Sequence, residues 1–549
     1  MAGALLTLLN APALAAYTAA GYWGDETLYT VAARHARATP DRFAVRDRHR
    51  RWTYAALVEA ADRLAAALAA QGLRPGQRVA VWLPSRVETA IVLLACSRNG
   101  YVCCPSLHRD HTTLQVAELV DRVRAAALIA QPGYSADAGD IFGVLGSRGF
   151  LRWTYRVGPA EAAPFADLAG GGVAPPASGD PNQVMYLPFT SGTTGMPKGV
   201  LHSDNTLLAS ARMMVRDWRL EGAVLYTLSP LSHNLGLGAL VTALAGAGEL
   251  VVHDLPRGDN LVDRLEETGA AFLFGVPTHA IDLVAEMRSR GRERLGAVRG
   301  FRISGAAAPA QLVADLLALG IVPQSGYGMT ETCSHQYTRP EDPPERTTLT
   351  CGRACDGYEV RIWRQDNPDV EAAPGEIGEI GGRGASLMLG YFDDQRATEA
   401  AFNAHAWFMT GDLGTIDEAG YLRVTGRKKD LIVRGGHNIH PAPIEALALH
   451  HREVAQAAAF AVADARLGER VCLAIVPRAS ARPDPKAILE HLAAAGLSRY
   501  DMPEFMLLLT EMPLTASGKI IKRELARWVA EGRVRPQPVR CRPPDAAEG

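Results

Sequence analysis

The sequence predicts an α/β fold: a large N-terminal domain of layered α/β subdomains plus a β-rich subdomain, then a small C-terminal α+β domain. Three observations carry this. Over the first three hundred residues, short apolar runs alternate with longer segments of helical period, the rhythm of a sheet covered by helices. From about Arg353 the texture shifts to shorter strands broken by Gly and Pro. Beyond Lys429 a further strand and helix alternation closes the chain. The length of 549 residues, 48% hydrophobic and 21% charged, suits roughly three to four domain-sized units.

In chain order, residues 1–24 hold no charge and are rich in Ala and Leu. They lack a basic n-region and Pro12 interrupts them, so they read as an N-terminal helix or arm on the body, not an export signal or membrane span. Helical period marks 28–36 and 54–71, with a strand at 43–45 between them; a strand at 78–83, a helix at 87–98 and a strand at 126–130 follow. The Gly/Ala/Pro-rich stretch 158–180 reads as a surface connection. A strand lead at 184–187 then enters YLPFTSGTTGMPKGV (186–200). After it come a helix at 206–217, strands at 223–228, 249–252 and 271–276, FRISGAA at 301–307, and a strand-loop-acid pattern, SGYGMTETC, at 325–333. The last two fall at carboxyl ends of strands, where open α/β sheets bind ligands. Strands at 358–363 and 375–384 make the β-rich part, and 421–439 reads as a hairpin with a basic turn. The domain boundary is expected at Lys429, giving 1–428 and 429–549. The second part reads as helix 442–450, strands 456–463 and 471–477, helix 485–495 and a terminal helix after Lys519.

A net charge of -2 leaves no electrostatic footprint for nucleic acid. Eight cysteines without CxxC spacing support neither a zinc site nor a disulfide framework, and a cytoplasmic location fits. The glycine-rich loop invites an anion. Glycines let backbone N–H groups turn inward, Thr190, Ser191, Thr193 and Thr194 add hydroxyl donors beside Gly192, and Lys198 adds a mobile charge. Its spacing is not that of a P-loop NTPase. Only Lys198, Lys428, Lys429, Lys486, Lys519 and Lys522 are lysines among 57 basic residues, so a lysine in such a loop is a chosen ammonium rather than a generic cation.

Four further stretches join the loop: PLSHNLGLG (230–238), GYGMTE (326–331), WFMTGDLG (407–414) with GRKKDLIVRGGHNI (426–439), and PLTASGKI (513–520). In this order and spacing, from about residue 27 to 530, the chain resembles the adenylate-forming superfamily of acyl-CoA synthetases, aryl-acid activating enzymes, luciferases and peptide-synthetase adenylation domains. The resemblance implies that a carboxylate attacks the α-phosphate of ATP, and that a thiol then displaces AMP. It implies ATP, Mg2+ and CoA as cofactors. It further implies that the phosphate loop and Lys198 gather the triphosphate, that Thr330 and Glu331 stand at the reacting phosphates with Glu331 holding Mg2+, and that Asp412 and Arg427 contact the ribose. Tyr327 stacks beside adenine, with Gly326, Gly328 and Ala306 allowing close approach. Lys519 is implied as the adenylation lysine and Lys429 as the hinge of a mobile C-terminal domain. Gly435 and Gly436 would line the pantetheine tunnel. His437 and His440 depart from the common pattern, which leaves the thiol acceptor open.

By the same resemblance the acyl pocket is lined by His233, Asn234, Leu235, Gly238, Ser304, Gly305, Ala306, Gly326 and Cys333, with His233 near the carboxylate or gating the thiol path. Small and apolar groups imply a compact cyclic, aryl or short- to medium-chain acyl acid. Three readings follow: an acid:CoA ligase; a stand-alone aryl-acid adenylating enzyme loading a carrier protein; and a non-catalytic nucleotide or acyl binder. The third expects loss of Lys519, Glu331 or Asp412, and all are present.

Overall fold

The computed structural model describes residues 11–146, 148–168, 174–190, 197–256, 258–305, 308–479, 481–514 and 520–540. The chain divides into two units: residues 1–360, 382–408 and 418–422, and residues 361–381, 409–417 and 423–549. It is a mixed α/β protein with a large N-terminal and a smaller C-terminal domain.

The first unit is built on two sheets. The nine-stranded one has a parallel centre, in the order Val322–Met329, Gly300–Ile303, Phe272–Gly275, Val224–Thr227, Glu249–Val252 and Phe43–Arg46. Cys333–Tyr337, Arg353–Ala354 and Arg51–Thr53 pair antiparallel at its edges. The seven-stranded one runs Gly390–Tyr391, Val200–Ser203, Val184–Tyr186, Val102–Cys104, Arg78–Trp82, Ala127–Ala130 and Trp153–Arg156. ELVV, FLFG and ALIA are buried at every position, which is why these strands read as apolar runs and not as alternating patterns.

Between the sheets lie the helices Tyr54–Ala70, Val87–Asn99, Asp204–Trp218 and Asn234–Ala245. Leu64, Ile91, Leu208 and Leu240 share one buried cluster with Val79 of one sheet and Phe272 of the other. Val87–Asn99 is buried along its whole length, as a helix covered on both faces must be. At the amino end, Ala11–Ala19 lays Leu14 and Tyr17 against a second cluster, and Trp23 donates from Nε1 to the Ala385 carbonyl at 2.8 Å. Of the two expectations for residues 1–24, a helix or an extended arm on the body, the described part from Ala11 is a helix.

The second unit holds the greater part of a four-stranded sheet, in the order Tyr358–Trp363, Gly378–Gly384, Phe408–Ile416 and Leu422–Arg427. Its other sheet centres on Val454–Asp464 and Gly468–Pro477, with the helices Pro441–Leu449, Pro485–Ala494 and Lys522–Ala530. The hairpin expected over 421–439 is really two elements. Leu422–Arg427 belongs to the four-stranded sheet and Lys428–Asp430 is a single 3-10 turn, so only Ile432–Arg434 and His437–Ile439 pair as a hairpin. The basic cluster ends a strand, and Gly435-Gly436 makes the turn. Their φ values of +58° and +87° satisfy a two-residue turn that needs positive φ at both positions. No described helix is long and apolar enough to cross a membrane.

Asp204 ties its own helix to Val87–Asn99 and to a further helix, Leu28–Ala38. Its Oδ1 accepts from the Leu28 amide and from Ser97 Oγ, each at 2.8 Å. Full burial pushes its pKa up to about 7. The unfolded chain releases this proton near pH ~4, so between about pH 4 and 7 the native state binds more protons and stability falls as pH rises. Asp204→Asn removes that slope, and urea unfolding should find it gaining about 2–4 kcal/mol on the wild type between pH 4 and 8.

Candidate active site

The carboxyl ends of Val224–Thr227, Gly300–Ile303 and Val322–Met329 lie on one edge of the nine-stranded sheet. From the last of these the chain turns back over residues 329–332 before entering Cys333–Tyr337. The four carbonyls of that turn are each held from a different place. Asn234 Nδ2 donates to Met329 O at 3.4 Å and His202 Nε2 to Thr330 O at 2.7 Å. The Met388 amide donates to Glu331 O at 2.7 Å and Ser386 Oγ to Thr332 O at 2.9 Å. A carbonyl can only accept, so Nε2 of His202 carries the proton. Burial holds that ring's pKa down to about 4, and it stays neutral at physiological pH.

Glu331 at the tip is buried, and Tyr391 Oη donates to its Oε1 at 3.0 Å. Burial, and then the Glu331 charge, raise the Tyr391 pKa, so the phenol keeps its proton and remains the donor. A face of the same ring receives Lys198, whose Nζ lies 4.4 Å from its centroid, a cation–π contact. Tyr391 thus joins the phosphate-loop lysine to the acid. No reading of the sequence singled it out.

The phosphate loop is closed at its neck. Phe189 bridges Gly199, and the Thr190 amide donates to Lys198 O at 2.9 Å. Ser191, Gly192, Thr193 and Thr194 lie outside the described residues, as do Ala306 and Lys519. The neck of the Lys519 loop is described: Leu514 bridges Ile520, and the Ile521 amide donates to Pro513 O at 2.8 Å.

His233 caps the helix Asn234–Ala245 and stacks on His108, ring centroids 4.1 Å apart. His108 Nδ1 is 2.9 Å from Ser232 Oγ, and burial followed by the His233 neighbour drives its pKa down to about 2. Next to this pair a cavity opens between the helices Asp204–Trp218 and Asn234–Ala245. Asn234, Leu235, Gly238 and Cys333 line it together with Met214 and Phe274. His233, Ser304, Gly305 and Gly326 are not among its lining residues. Burial raises the Cys333 thiol to about 12, so it is an uncharged wall. Tyr327 sets its ring edge-on to His335 at 5.6 Å, and His335 stacks on Tyr358 at 4.0 Å. Gly328 has no room for a side chain, since a Cβ there would meet Cys333 O at 2.0 Å.

Within the second unit, Asp412 is buried and pairs with Arg427 at 3.0 Å from its Nε. Beside them Lys428 pairs with Glu379 at 2.8 Å, and Lys429 has its pKa lowered by burial first and by Arg427 second. Gly435 and Gly436 form the hairpin turn described above.

The family model for the AMP-binding enzyme matches residues 32–392, and that for the AMP-binding enzyme C-terminal domain matches 443–519. The chain belongs to the AMP-binding enzyme family. Within the family it is 33% identical to the medium-chain fatty-acid–CoA ligase of Escherichia coli (strain K12) over 530 residues, 92% of this chain and 91% of that protein. It is 29% identical to the 2,3-dihydroxybenzoate–AMP ligase of Bacillus subtilis (strain 168), covering 94% and 96%. Among solved structures it resembles ATP-bound MatB from Rhodopseudomonas palustris, with a TM-score of 0.81 at 26% identity over 92% of this chain and 99% of that one. Family and relatives support an AMP-forming acid–thiol ligase using ATP, Mg2+ and CoA. The donor set fits that ion. Glu331 supplies a buried carboxylate at the turn, and Mg2+ prefers one or two carboxylates with phosphate oxygens completing its shell.

Tyr391→Phe keeps the ring under Lys198 but removes the donor to Glu331, and Tyr391→Leu removes both. Pyrophosphate release at varied Mg·ATP should show the KM for Mg·ATP rising about 10-fold for Phe and further for Leu, the loss expected of a hydrogen bond to a charged group.

Proposed function

We propose that this protein activates a compact cyclic, aryl or short-to-medium carboxylic acid and joins it to the thiol of CoA. The observation that carries the reading is the pinned turn, which sets buried Glu331 against Tyr391, the ring that also receives Lys198, and, through Asn234, beside a cavity lined by Leu235, Gly238 and Cys333. In the first step an oxygen of the acid attacks the α-phosphorus of ATP and pyrophosphate leaves. In the second the thiol sulfur attacks the acyl carbon, AMP departs and the thiol proton is released. Mg2+, when bound, neutralises phosphate charge, with Glu331 as its protein ligand.

The chain's own residues have separate tasks. Thr190, Ser191, Gly192, Thr193, Thr194 and Lys198 grip the departing pyrophosphate, and Thr330 flanks the reacting phosphate. Asp412 accepts from the ribose hydroxyls with Arg427 beside it. Tyr327 lies against adenine, with Gly326, Gly328 and Ala306 leaving it room. Lys519 neutralises charge at the bond that breaks, a preorganised electrostatic contribution. Residues 429–549 then turn about Lys429 and present Gly435 and Gly436 to the thiol. His233, stacked on His108, guards the thiol path. Asn234, Leu235, Gly238 and Cys333 surround the acyl group. The setting is the cytoplasm, where ATP and CoA are at hand.

A second reading has one specific support: a relative of 29% identity is named for the adenylate it forms, not for a thioester. Under that reading a carrier protein takes the acyl group. AMP formation with a panel of cyclic, aryl and short acids separates the two. A rise on adding CoA supports the first reading, and a rise only with an aryl carrier protein sinks it.

Lys519→Ala should lower acid-dependent pyrophosphate exchange by roughly 100-fold or more, while conversion of pre-made acyl-adenylate to thioester persists. Near-normal exchange would remove Lys519 from the first step.

A further inference from the structure

The strand Gly300–Ile303 lies between Phe272–Gly275 and Val322–Met329, and at Arg302 its neighbours in register are Phe274 and Gln324. Paired positions of adjacent strands project to one face of a sheet, so Phe274, Arg302 and Gln324 stand side by side beneath the helix Asp204–Trp218. Phe274 and Met214 are walls of the acyl cavity. Gln324 Nε2 reaches Met214 Sδ at 3.3 Å, and Arg302 Nη1 donates to Gln324 Oε1 at 2.5 Å. The guanidinium crosses over Gly326, where a Cβ would come within 2.8 Å of it.

A buried guanidinium needs a counter-charge or a full set of acceptors. Arg302 is 1% exposed, and its Nε is a buried donor without an acceptor. Asp217 does not serve it. The Tyr337 ring stands 5.7 Å from the Arg302 guanidinium carbon, and its hydroxyl donates to Asp217 Oδ2 at 3.0 Å. Asp217 is further engaged by Arg216 at 2.7 Å and Arg339 at 3.4 Å. Burial lowers the Arg302 pKa only to about 10, so the charge persists at neutral pH. A cation without a carboxylate, placed behind the Phe274 and Met214 walls of the cavity, is complementary to an anion delivered by the ligand.

We propose that Arg302, supported by Gln324, is the specificity-determining end of the acyl cavity and that the acid activated is a dicarboxylate, its second carboxylate received by the Arg302 guanidinium. The proposal rests on the reading that this cavity holds the acid. Leu207, Ala211, Leu235 and Val241 line the same space and suit a hydrocarbon spacer between the two carboxylates. Closing the site on a monocarboxylate would leave the guanidinium buried and unpaired, a costly arrangement.

Matched acids test this: hexanoate against adipate, and cyclohexanecarboxylate against cyclohexane-1,4-dicarboxylate, each with the diacid's monomethyl ester. Two readouts apply, kcat/KM for acid-dependent AMP formation and the thermal shift each acid induces. The wild type should favour the diacid over monoacid and ester by roughly 10- to 100-fold, the discrimination expected of a buried charge-assisted pair. Arg302→Met should lose that preference and the diacid thermal shift without a lower melting temperature in the acid-free protein, because an apolar residue replaces an uncompensated charge. Arg302→Lys should retain part of the preference, and Gln324→Leu should weaken it. A wild type that favours the monoacids overturns the proposal. So does an Arg302→Met protein of lower melting temperature with an unchanged diacid-to-monoacid ratio, which would make Arg302 structural. Absence of AMP formation with every acid would sink the ligase reading alone, since the thermal shifts still report whether the diacid binds and whether Arg302 receives it.

Discussion

Everything at the proposed phosphate end depends on four consecutive carbonyls, those of residues 329–332, being held by Asn234, His202, Met388 and Ser386. A reversing turn leaves its carbonyls without the partners a sheet would supply, and unpaired backbone groups are costly to bury. Here each is met by a donor from another element: a helix start, a strand of the second sheet, and the segment leading to Gly390–Tyr391. The turn cannot shift without breaking several of these bonds together. Preorganisation of Glu331 is therefore a property of how two sheets and a helix layer converge, not of the GYGMTE stretch alone.

The same logic governs the glycine-rich loop after Phe189 and the small-residue loop that carries Lys519. A loop of Gly, Ser and Thr loses much conformational freedom when it closes on a ligand. Antiparallel bridges at both necks, Phe189 with Gly199 and Leu514 with Ile520, fix where each loop begins and ends. Part of that entropy is thus already lost at the necks before any ligand arrives.

How much of this was legible follows from where the signal lives. Strands at 249–252 and 358–363 have the ends their sequence implies, because runs such as ELVV stop at small or polar residues. The glycine-rich and acidic motifs were legible because their chemistry is local. Tyr391 was not, since its role arises from antiparallel pairing of Gly390–Tyr391 with Leu201 and Val200, far along the chain. Arg302 did leave a trace, a charge within the apolar run FRI, at odds with a strand buried on both faces. The error at 421–439 was one of turn chemistry. A basic cluster was read as the turn, whereas the adjacent Gly-Gly pair supplied the positive φ angles that the tight hairpin needs.

The scarcity of lysine, noted from composition, takes on structural content. Lys428, Lys486 and Lys522 each face a carboxylate, Glu379 at 2.8 Å, Glu490 at 3.6 Å and Glu445 at 2.6 Å. Lys198 instead rests on the Tyr391 ring. An aromatic face attracts a cation without giving it a competing anion, so an ammonium held there remains disposed toward an arriving phosphate. Tyr391 in turn donates to Glu331, so the same ring meets a cation at its face and a carboxylate at its hydroxyl. One ring therefore stands in contact with a charge of each sign, and under the proposed function these are the two charges that a magnesium-bound triphosphate meets.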